Sequence, residues 1–494
     1  MTLSMSRRTL LATSVTAFIL PVASDAATLG GAKNVMMFVS DGASWGTWDM
    51  ASYYEHGETG RQAYDAFDTK LGMTTGSAST EQPYDPEAAW NGTPTGDEDR
   101  FEGYTRIKQG ASDSAAAGTA LATGTKTLNG RINVGPDGEK LPFLSQAMKT
   151  AGKKAGVVSS VPFSHATPAA FGAQNIDRNN YLEIAGQMIN EGTLDVIMGG
   201  GNPNYDGSGQ RLDEANYNRI SEADWEALNG ADAPMTLIET REAFEALADG
   251  SRKIDDRVIG LPRVGDTLQV NRDPEVVGSD PDNPTGVAFV DGVPTLETMT
   301  RGALRQLGDD EDGLFLMVEG GAVDWAAHAN STAGIIEEQM DFNAAVEAGV
   351  DWVEAESSWD ETLMLVLTDH GNGMPMGPNS DEIAFQPIEN NGEGVLPGVM
   401  WHTGGHTTEN TLFWAHGVGS DLFADEIAGN DPFLASILEF NDGAFFDNTA
   451  VAGVVSAAAG ITDPAPVPVP ASFWLLAPAF GLLGGIRRLK KRQN

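Results

Sequence analysis

Leu363-Met364-Leu365-Val366-Leu367, running straight into Thr368-Asp369-His370-Gly371, is the stretch on which the fold class turns. Five consecutive apolar residues leave no polar face, so a strand here is buried on both sides, as strands of parallel sheets are. The pattern recurs along the chain. Asn34-Val35-Met36-Met37-Phe38-Val39 ends in Ser40-Asp41-Gly42, and Leu314-Phe315-Leu316-Met317-Val318 ends in Glu319-Gly320-Gly321. Ala155-Gly156-Val157-Val158-Ser159-Ser160 and residues 194–198, before three glycines, read as two more such strands, and 412–415 as another. Amphipathic segments alternate with these runs. The expectation is an α/β fold: three layers, α/β/α, around a central, mostly parallel sheet. In open α/β sheets the ligand site lies beyond the carboxyl ends of the strands. Three strand ends carrying Asp41, Glu319 and Asp369, the last joined to His370, predict a metal centre there.

A second stretch supplies a nucleophile. Gly110-Ala111-Ser112-Asp113-Ser114-Ala115-Ala116-Ala117-Gly118-Thr119 is built of small residues and sets the Ser114 hydroxyl beside the Asp113 carboxylate. The residues after Ser114 are good helix formers, so Ser114 is placed at a helix N-terminus, where free N–H groups favour an anion. Ser and Asp are also ordinary helix caps. The stretch alone does not separate the two readings.

Composition narrows the chemistry. With 494 residues and 41% hydrophobic side chains, the chain can build a large core. Its formal charge of −40 argues against a nucleic-acid partner, which calls for a basic face. There is no cysteine, so any metal must be held by Asp, Glu, His or hydroxyl groups. The seven histidines are few enough that their placement matters. Asp324 and His328 are four apart and share one face of a helix. His402 and His406 lie in the Gly-containing Trp401-His402-Thr403-Gly404-Gly405-His406-Thr407, and His165 opens His165-Ala166-Thr167-Pro168. Zinc takes His nitrogen and carboxylate oxygen, while magnesium prefers carboxylate, hydroxyl and water.

These motifs together resemble the alkaline phosphatase family over about residues 33–460. Asp113-Ser114-Ala115-Ala116, continuing to Thr123-Gly124-Thr125-Lys126-Thr127, is similar to the family's nucleophile segment. Val318-Glu319-Gly320-Gly321 with Asp324 and His328, then Thr368-Asp369-His370, then Gly405-His406-Thr407 resemble its later metal blocks, in the same order. The resemblance implies two Zn2+ ions and a third ion, usually Mg2+, above an α/β/α sheet. It implies Asp324, His328 and His406 at one zinc, and Asp41, Asp369 and His370 at the second, next to Ser114. Asp41 would bridge to a third site shared with Thr167 and Glu319, and Arg178 would bind phosphate. His165 and Trp325 stand at positions that vary among members; His165 is either a direct ligand of the third ion or one shell out. The implied reaction is hydrolysis of phosphate monoesters through a phosphoserine, on small phosphorylated substrates. The resemblance also suggests a homodimer.

The chemistry can be argued from the residues as well. Two metals about 4 Å apart activate a nucleophile and stabilise a leaving oxygen together, and a guanidinium such as that of Arg178 grips phosphoryl oxygens with a bidentate fork. Rival readings fare worse. A sulfatase needs a Cys or Ser in a Cys/Ser-x-Pro-x-Arg setting, which is absent; diesterase relatives usually place Thr where Ser114 stands; a non-catalytic scaffold would be expected to have lost ligands.

Both ends read as addresses. Ser6-Arg7-Arg8-Thr9-Leu10-Leu11 and the apolar run to Val22 form a signal peptide over 1–26, of twin-arginine type or else general secretory. A catalytic region follows over 27–460, with an acidic insertion around 201–295 carrying a strand signal at Thr267-Leu268-Gln269-Val270. Residues 461–494 combine a Pro-rich linker, a short apolar segment and the cluster Arg487-Arg488-Leu489-Lys490-Lys491-Arg492, the layout of a surface-sorting tail or membrane anchor. The expectation is an exported protein of the periplasm or cell surface, in contact with the membrane or sorting machinery through its tail.

Overall fold

The structure is a computed structural model and describes residues 30–461. The signal segment over 1–26 and the apolar tail lie outside the described residues. Among the described residues no helix is long and apolar enough to cross a membrane.

The strands, in chain order, are β1 (Asn34–Val39), β2 (Thr69–Thr74), β3 (Lys154–Pro162), β4 (Val196–Gly200), β5 (Thr236–Ile238), β6 (Val258–Gly260), β7 (Leu314–Glu319) and β8 (Thr362–Leu367). They continue with β9 (Gly371–Asn372), β10 (Pro375–Met376), β11 (Met400–Trp401), β12 (His406–Thr407), β13 (Thr411–Gly417), β14 (Gly429–Asn430) and β15 (Ala444–Asp447). Eleven of them form one sheet in the order β14-β15-β2-β13-β8-β1-β7-β3-β4-β6-β5. From β8 to β5 every neighbouring pair is parallel, whereas β13 runs antiparallel to both β8 and β2.

The apolar runs explain the layering. In β1, Met36 and Phe38 enter one core, while Val35, Met37 and Val39 enter the other. β7 divides the same way, with Leu314, Leu316 and Val318 on one face and Phe315 and Met317 on the other. The helices Trp45–His56, Leu296–Leu307 and Thr332–Glu356 contribute buried side chains to the first core; Ser114–Thr123, Leu144–Thr150, Tyr181–Asn190 and Ala450–Ala458 contribute to the second. This is a three-layer α/β/α architecture around a mostly parallel sheet.

Register brings the functional ends level. Val39 lies opposite Leu367 on β8 and opposite Glu319 on β7, so β8, β1 and β7 stop together and present Asp369, Asp41 and Glu319 side by side. The region 201–295 extends the sheet through β5 and β6 at its edge. Its expected strand at Thr267-Leu268-Gln269-Val270 is a turn instead. The Thr267 hydroxyl accepts the Asn271 N–H, and only Leu268 of the four hydrophobic-patterned positions is buried in the apolar core. One buried leucine with Gly265 before it and Pro274 after it cannot sustain a ladder.

Candidate functional site

Ser114 is the first residue of the helix Ser114–Thr123, and Asp113 is its N-cap, accepting the Ala116 N–H through Oδ1 at 2.9 Å. Such a cap contributes about 1 kcal/mol, but Asp113 also has a second task. Its Oδ2 accepts from the Gly130 N–H at 2.9 Å and pairs with Arg178 Nη1 at 3.0 Å. Burial works against the Arg178 charge; the Asp113 carboxylate outweighs it, and the guanidinium pKa is raised. Arg178 is thus a fixed cation, aimed by the residue next to Ser114. Both readings of the Ser114 segment therefore hold: Asp113 caps the helix, and Ser114 lies at its N-terminus facing the site.

Ser114 Oγ is 3.2 Å from His370 Nε2. The same nitrogen lies 3.3 Å from Asp369 Oδ2 and 3.6 Å from Asp41 Oδ1. Asp41 Oδ1 and Asp369 Oδ2 are buried and accept no hydrogen bond. Burial, then the charges of Asp369, Asp324 and Glu319, push the Asp41 pKa well up; burial and Asp324 push Asp369 up to about 6. Two buried carboxylate oxygens and one imidazole nitrogen converge with nothing between them to balance the charge. That donor set fits a divalent cation.

A second set lies alongside. The helix Ala322–His328 places Asp324 Oδ2 3.3 Å from His328 Nε2, and Asp324 Oδ1 is 3.3 Å from His406 Nε2. His328 Nδ1 sits 2.8 Å from the Gly404 oxygen and His406 Nδ1 2.8 Å from the Ser112 oxygen. Each Nδ1 therefore carries a hydrogen for its carbonyl, which leaves the Nε2 lone pairs facing each other at 3.1 Å. Facing lone pairs repel unless a cation sits between them, and carbonyl-bound Nδ1 groups are how metal-ligating histidines are oriented. Burial opposes the Asp324 charge, but the two neighbouring imidazoles outweigh it and hold its pKa well below the ordinary value, so it is the anion of this set. The rings of His370 and His406 stack at 3.7 Å, joining the two sets. Among the described residues these two sets are the groups of three acidic or histidine side chains able to hold a metal.

Glu319 and Thr167 lie next to Asp41. The Thr167 hydroxyl donates to Asp41 Oδ2 at 3.2 Å, and Ser159 donates to Glu319 Oε2. Glu319 Oε1 is buried without a partner, and burial pushes its pKa up to about 7. A hydroxyl and two carboxylates suit a hard cation such as magnesium. His165 stands beside Arg178: its Nε2 is 3.3 Å from Arg178 Nη2, its Nδ1 is buried without a partner, and its ring packs against Tyr181 and Trp325. Burial, with Arg178 and Arg219 nearby, lowers its pKa to about 3, so it is neutral. Ser114, Arg178, His165, Asp324, Trp325, His328 and His406 line an open cavity of about 300 Å3. His402 stands apart, bonded to Ser380 at 2.7 Å.

Several supporting residues escape a reading by motif. Asn372 Nδ2 donates to Asp324 Oδ1 at 2.7 Å, held there by the short pairing of β9 with β12. Gly42, at φ +68°, lets Asp324 approach; a Cβ would stand 2.7 Å from Asp324 Oδ1. Arg219, from the acidic insertion, stacks on Tyr181 at 4.4 Å. The only sequence signal for Asn372 is its place between two glycines just after His370.

A family model described as alkaline phosphatase matches residues 32–396. Alkaline phosphatase 3 of Bacillus subtilis is 33% identical over 273 residues, covering 54% of this chain and 50% of that protein. The chain thus spans about half the length of this relative. Alkaline phosphatase of Escherichia coli is 29% identical over 362 residues, with 67% and 71% covered, and streptomycin-6-phosphate phosphatase of Streptomyces griseus is 26% identical over 487, with 89% and 94% covered. Among solved structures, alkaline phosphatase from Thermus thermophilus superposes with a TM-score of 0.60 at 22% identity, covering 92% of this chain and 97% of that one. A variant of the Antarctic TAB5 enzyme with Mg bound in the site designated M3 gives 0.58 at 20% identity, with 88% and 100% covered. At these identities the two structures speak for the fold.

Proposed function

The chain belongs to the alkaline phosphatase family, and from that membership and the geometry of its site we propose that it hydrolyses phosphate monoesters through a covalent phosphoserine on Ser114. The observation that carries the reading is the convergence on Ser114: a helix N-terminus, the His370 nitrogen 3.2 Å from its hydroxyl, and Arg178 fixed by the adjacent Asp113. Zn2+ bound by Asp41, Asp369 and His370 and by Asp324, His328 and His406, with Mg2+ near Asp41, Thr167 and Glu319, would lower the pKa of the Ser114 hydroxyl, neutralise the leaving oxygen and activate water.

The chain's own residues do the rest. Arg178 offers its free N–H groups to the phosphoryl oxygens, its other edges being occupied by Asp113 and His165. The first N–H groups of the helix face the same anion. Ser114 Oγ gives its proton to solvent and attacks phosphorus: the Oγ–P bond forms, the ester P–O bond breaks, and the alcohol departs with a proton taken back from solvent. Water attacks the phosphoserine from the vacated side, releasing inorganic phosphate and restoring the Ser114 hydroxyl. Arg178, with the cations the two sets would hold, would let an anion enter a protein of charge −40. The Arg7-Arg8 pair and the basic-ended tail support a place in the periplasm or at the cell surface, and family membership supports a homodimer.

The test is turnover of an aryl phosphate by zinc- and magnesium-loaded protein, with acid trapping of labelled phosphoenzyme. Ser114→Ala is expected to keep its metals and lose at least about 10²-fold in kcat. Turnover without any label on Ser114 would overturn the covalent route. No turnover by fully loaded protein would overturn the reading itself.

A further inference from the structure

The helix Trp45–His56 borders two clefts with a common wall. The larger, about 370 Å3, is lined by Trp45, Asp49, Tyr53, Trp90 and Phe385 among others, and the smaller, about 190 Å3, by Trp48, Asp49, Asp65, Lys70 and Trp414 among others. Trp45, Asp49, Thr59, Leu438 and Glu439 belong to both. Together they fall within the range of about 300–1,000 Å3 typical of small-molecule sites.

Asp49, half-buried in the common wall, takes no hydrogen bond or ion pair from the described residues. Burial pushes its pKa up to about 7, the nearby Asp65 adds to the shift, and no donor among the described residues opposes it. Asp431, by contrast, takes hydrogen bonds from Tyr84 and Trp90, and Glu337 pairs with Arg272. Two indoles, Trp48 and Trp414, wall the smaller cleft and are 4% and 3% exposed. The lining carries three carboxylates, Asp49, Asp65 and Glu439, against one basic residue, Lys70.

We propose that this double cleft binds an organic ammonium cation, its charge paired with Asp49 and its apolar body held against the indole walls. Aromatic walls attract a cation through the negative faces of their rings, and more strongly where water is excluded. A neutral apolar ligand would leave Asp49 desolvated and unpaired. A bare divalent ion lacks donors here, since the metal-capable groups among the described residues lie at the catalytic centre.

The test uses the full metal-loaded chain and two probes, choline and its neutral isostere 3,3-dimethylbutan-1-ol. Binding is followed by calorimetry and tryptophan fluorescence, above the Asp49 pKa and at about 0.15 M salt, where diffuse attraction is screened beyond roughly 8 Å. Choline is expected to bind at least about tenfold more tightly than the isostere, a difference of about 1.4 kcal/mol. Asp49→Asn should abolish that difference and leave aryl phosphate turnover unchanged. Equal binding of the two probes would reduce the cleft to an apolar crevice and overturn the proposal. So would unchanged choline affinity in Asp49→Asn, or no binding of choline at millimolar concentration. The probe comparison on the unaltered protein decides the matter even if the variant does not fold.

Discussion

Replacing Asn372 with alanine removes the 2.7 Å hydrogen bond from its Nδ2 to Asp324 Oδ1, and the 3.2 Å bond to the Asp324 main-chain oxygen. The loop itself stays in place, because the Asn372 backbone exchanges bonds with the Ser44 hydroxyl in both directions. A hydrogen bond to a charged acceptor contributes about 1.5–3 kcal/mol. Part of this is offset, since Asn372 Oδ1 is buried without a partner and leaves as well. The loss therefore falls on the orientation of Asp324 rather than on global stability. Partners that orient metal ligands are typically worth about 10–100-fold in metal affinity, or about 1.4–2.7 kcal/mol. After chelation, reactivation of Asn372→Ala should need about 10–100-fold more free zinc, with kcat at saturating zinc near that of the unaltered protein. The side-chain bonds of Asn372 go to Asp324 and not to Asp369 or His370, so only one zinc should weaken. Competition with a chromophoric chelator reads the two ions separately. An unshifted midpoint would mean that the histidines alone hold Asp324, and equal weakening of both ions would mean that the loop has moved; either refutes the reasoning.

His165→Asp places a carboxylate beside Arg178 and at the cap of the helix that carries Thr167, and is expected to strengthen activation by magnesium while both proposed zinc sites stay filled. Magnesium titration of both proteins after chelation checks this, and identical curves would remove His165 from the metal argument. Burial, helped by Asp341 and Glu337, raises Glu338 from its ordinary 4.5 to about 8. Across that window the unfolded chain has released the proton that the folded chain keeps, so stability falls as pH rises. Glu338→Gln should accordingly raise the apparent Tm above pH 8, with the gain shrinking as the pH is lowered; a gain that does not vary with pH would point to packing instead.

The central strands were readable because each is apolar on both faces, and a strand with no polar side has few places to go. Their acidic ends were readable for the same reason: Asp41, Glu319 and Asp369 interrupt hydrophobic runs where charge is otherwise unwelcome. The edge strands were not. Thr236–Ile238 and Val258–Gly260 are three residues each, too short for a period to emerge, while the misleading Thr267-Leu268-Gln269-Val270 is longer than either. Asn372 and Gly42 act through distances set by tertiary folding, and no local pattern encodes that. The second duty of Asp113, aiming Arg178 across the fold, was hidden for a different reason: the residue already has a sufficient local purpose as a helix cap.

The level ends of β8, β1 and β7 tie chemical competence to the completion of folding. The groups that meet there come from Asp41 near one end of the described chain to His406 near the other, so no early fragment holds a closed donor set. The helix carrying Ser114 can form from local contacts alone, but the sheet that faces it requires long loops to close first, which is slow. A half-folded chain would therefore hold Ser114 without the donor sets around it, and under the function proposed above turnover would begin only when the strands reach register, not at the first collapse.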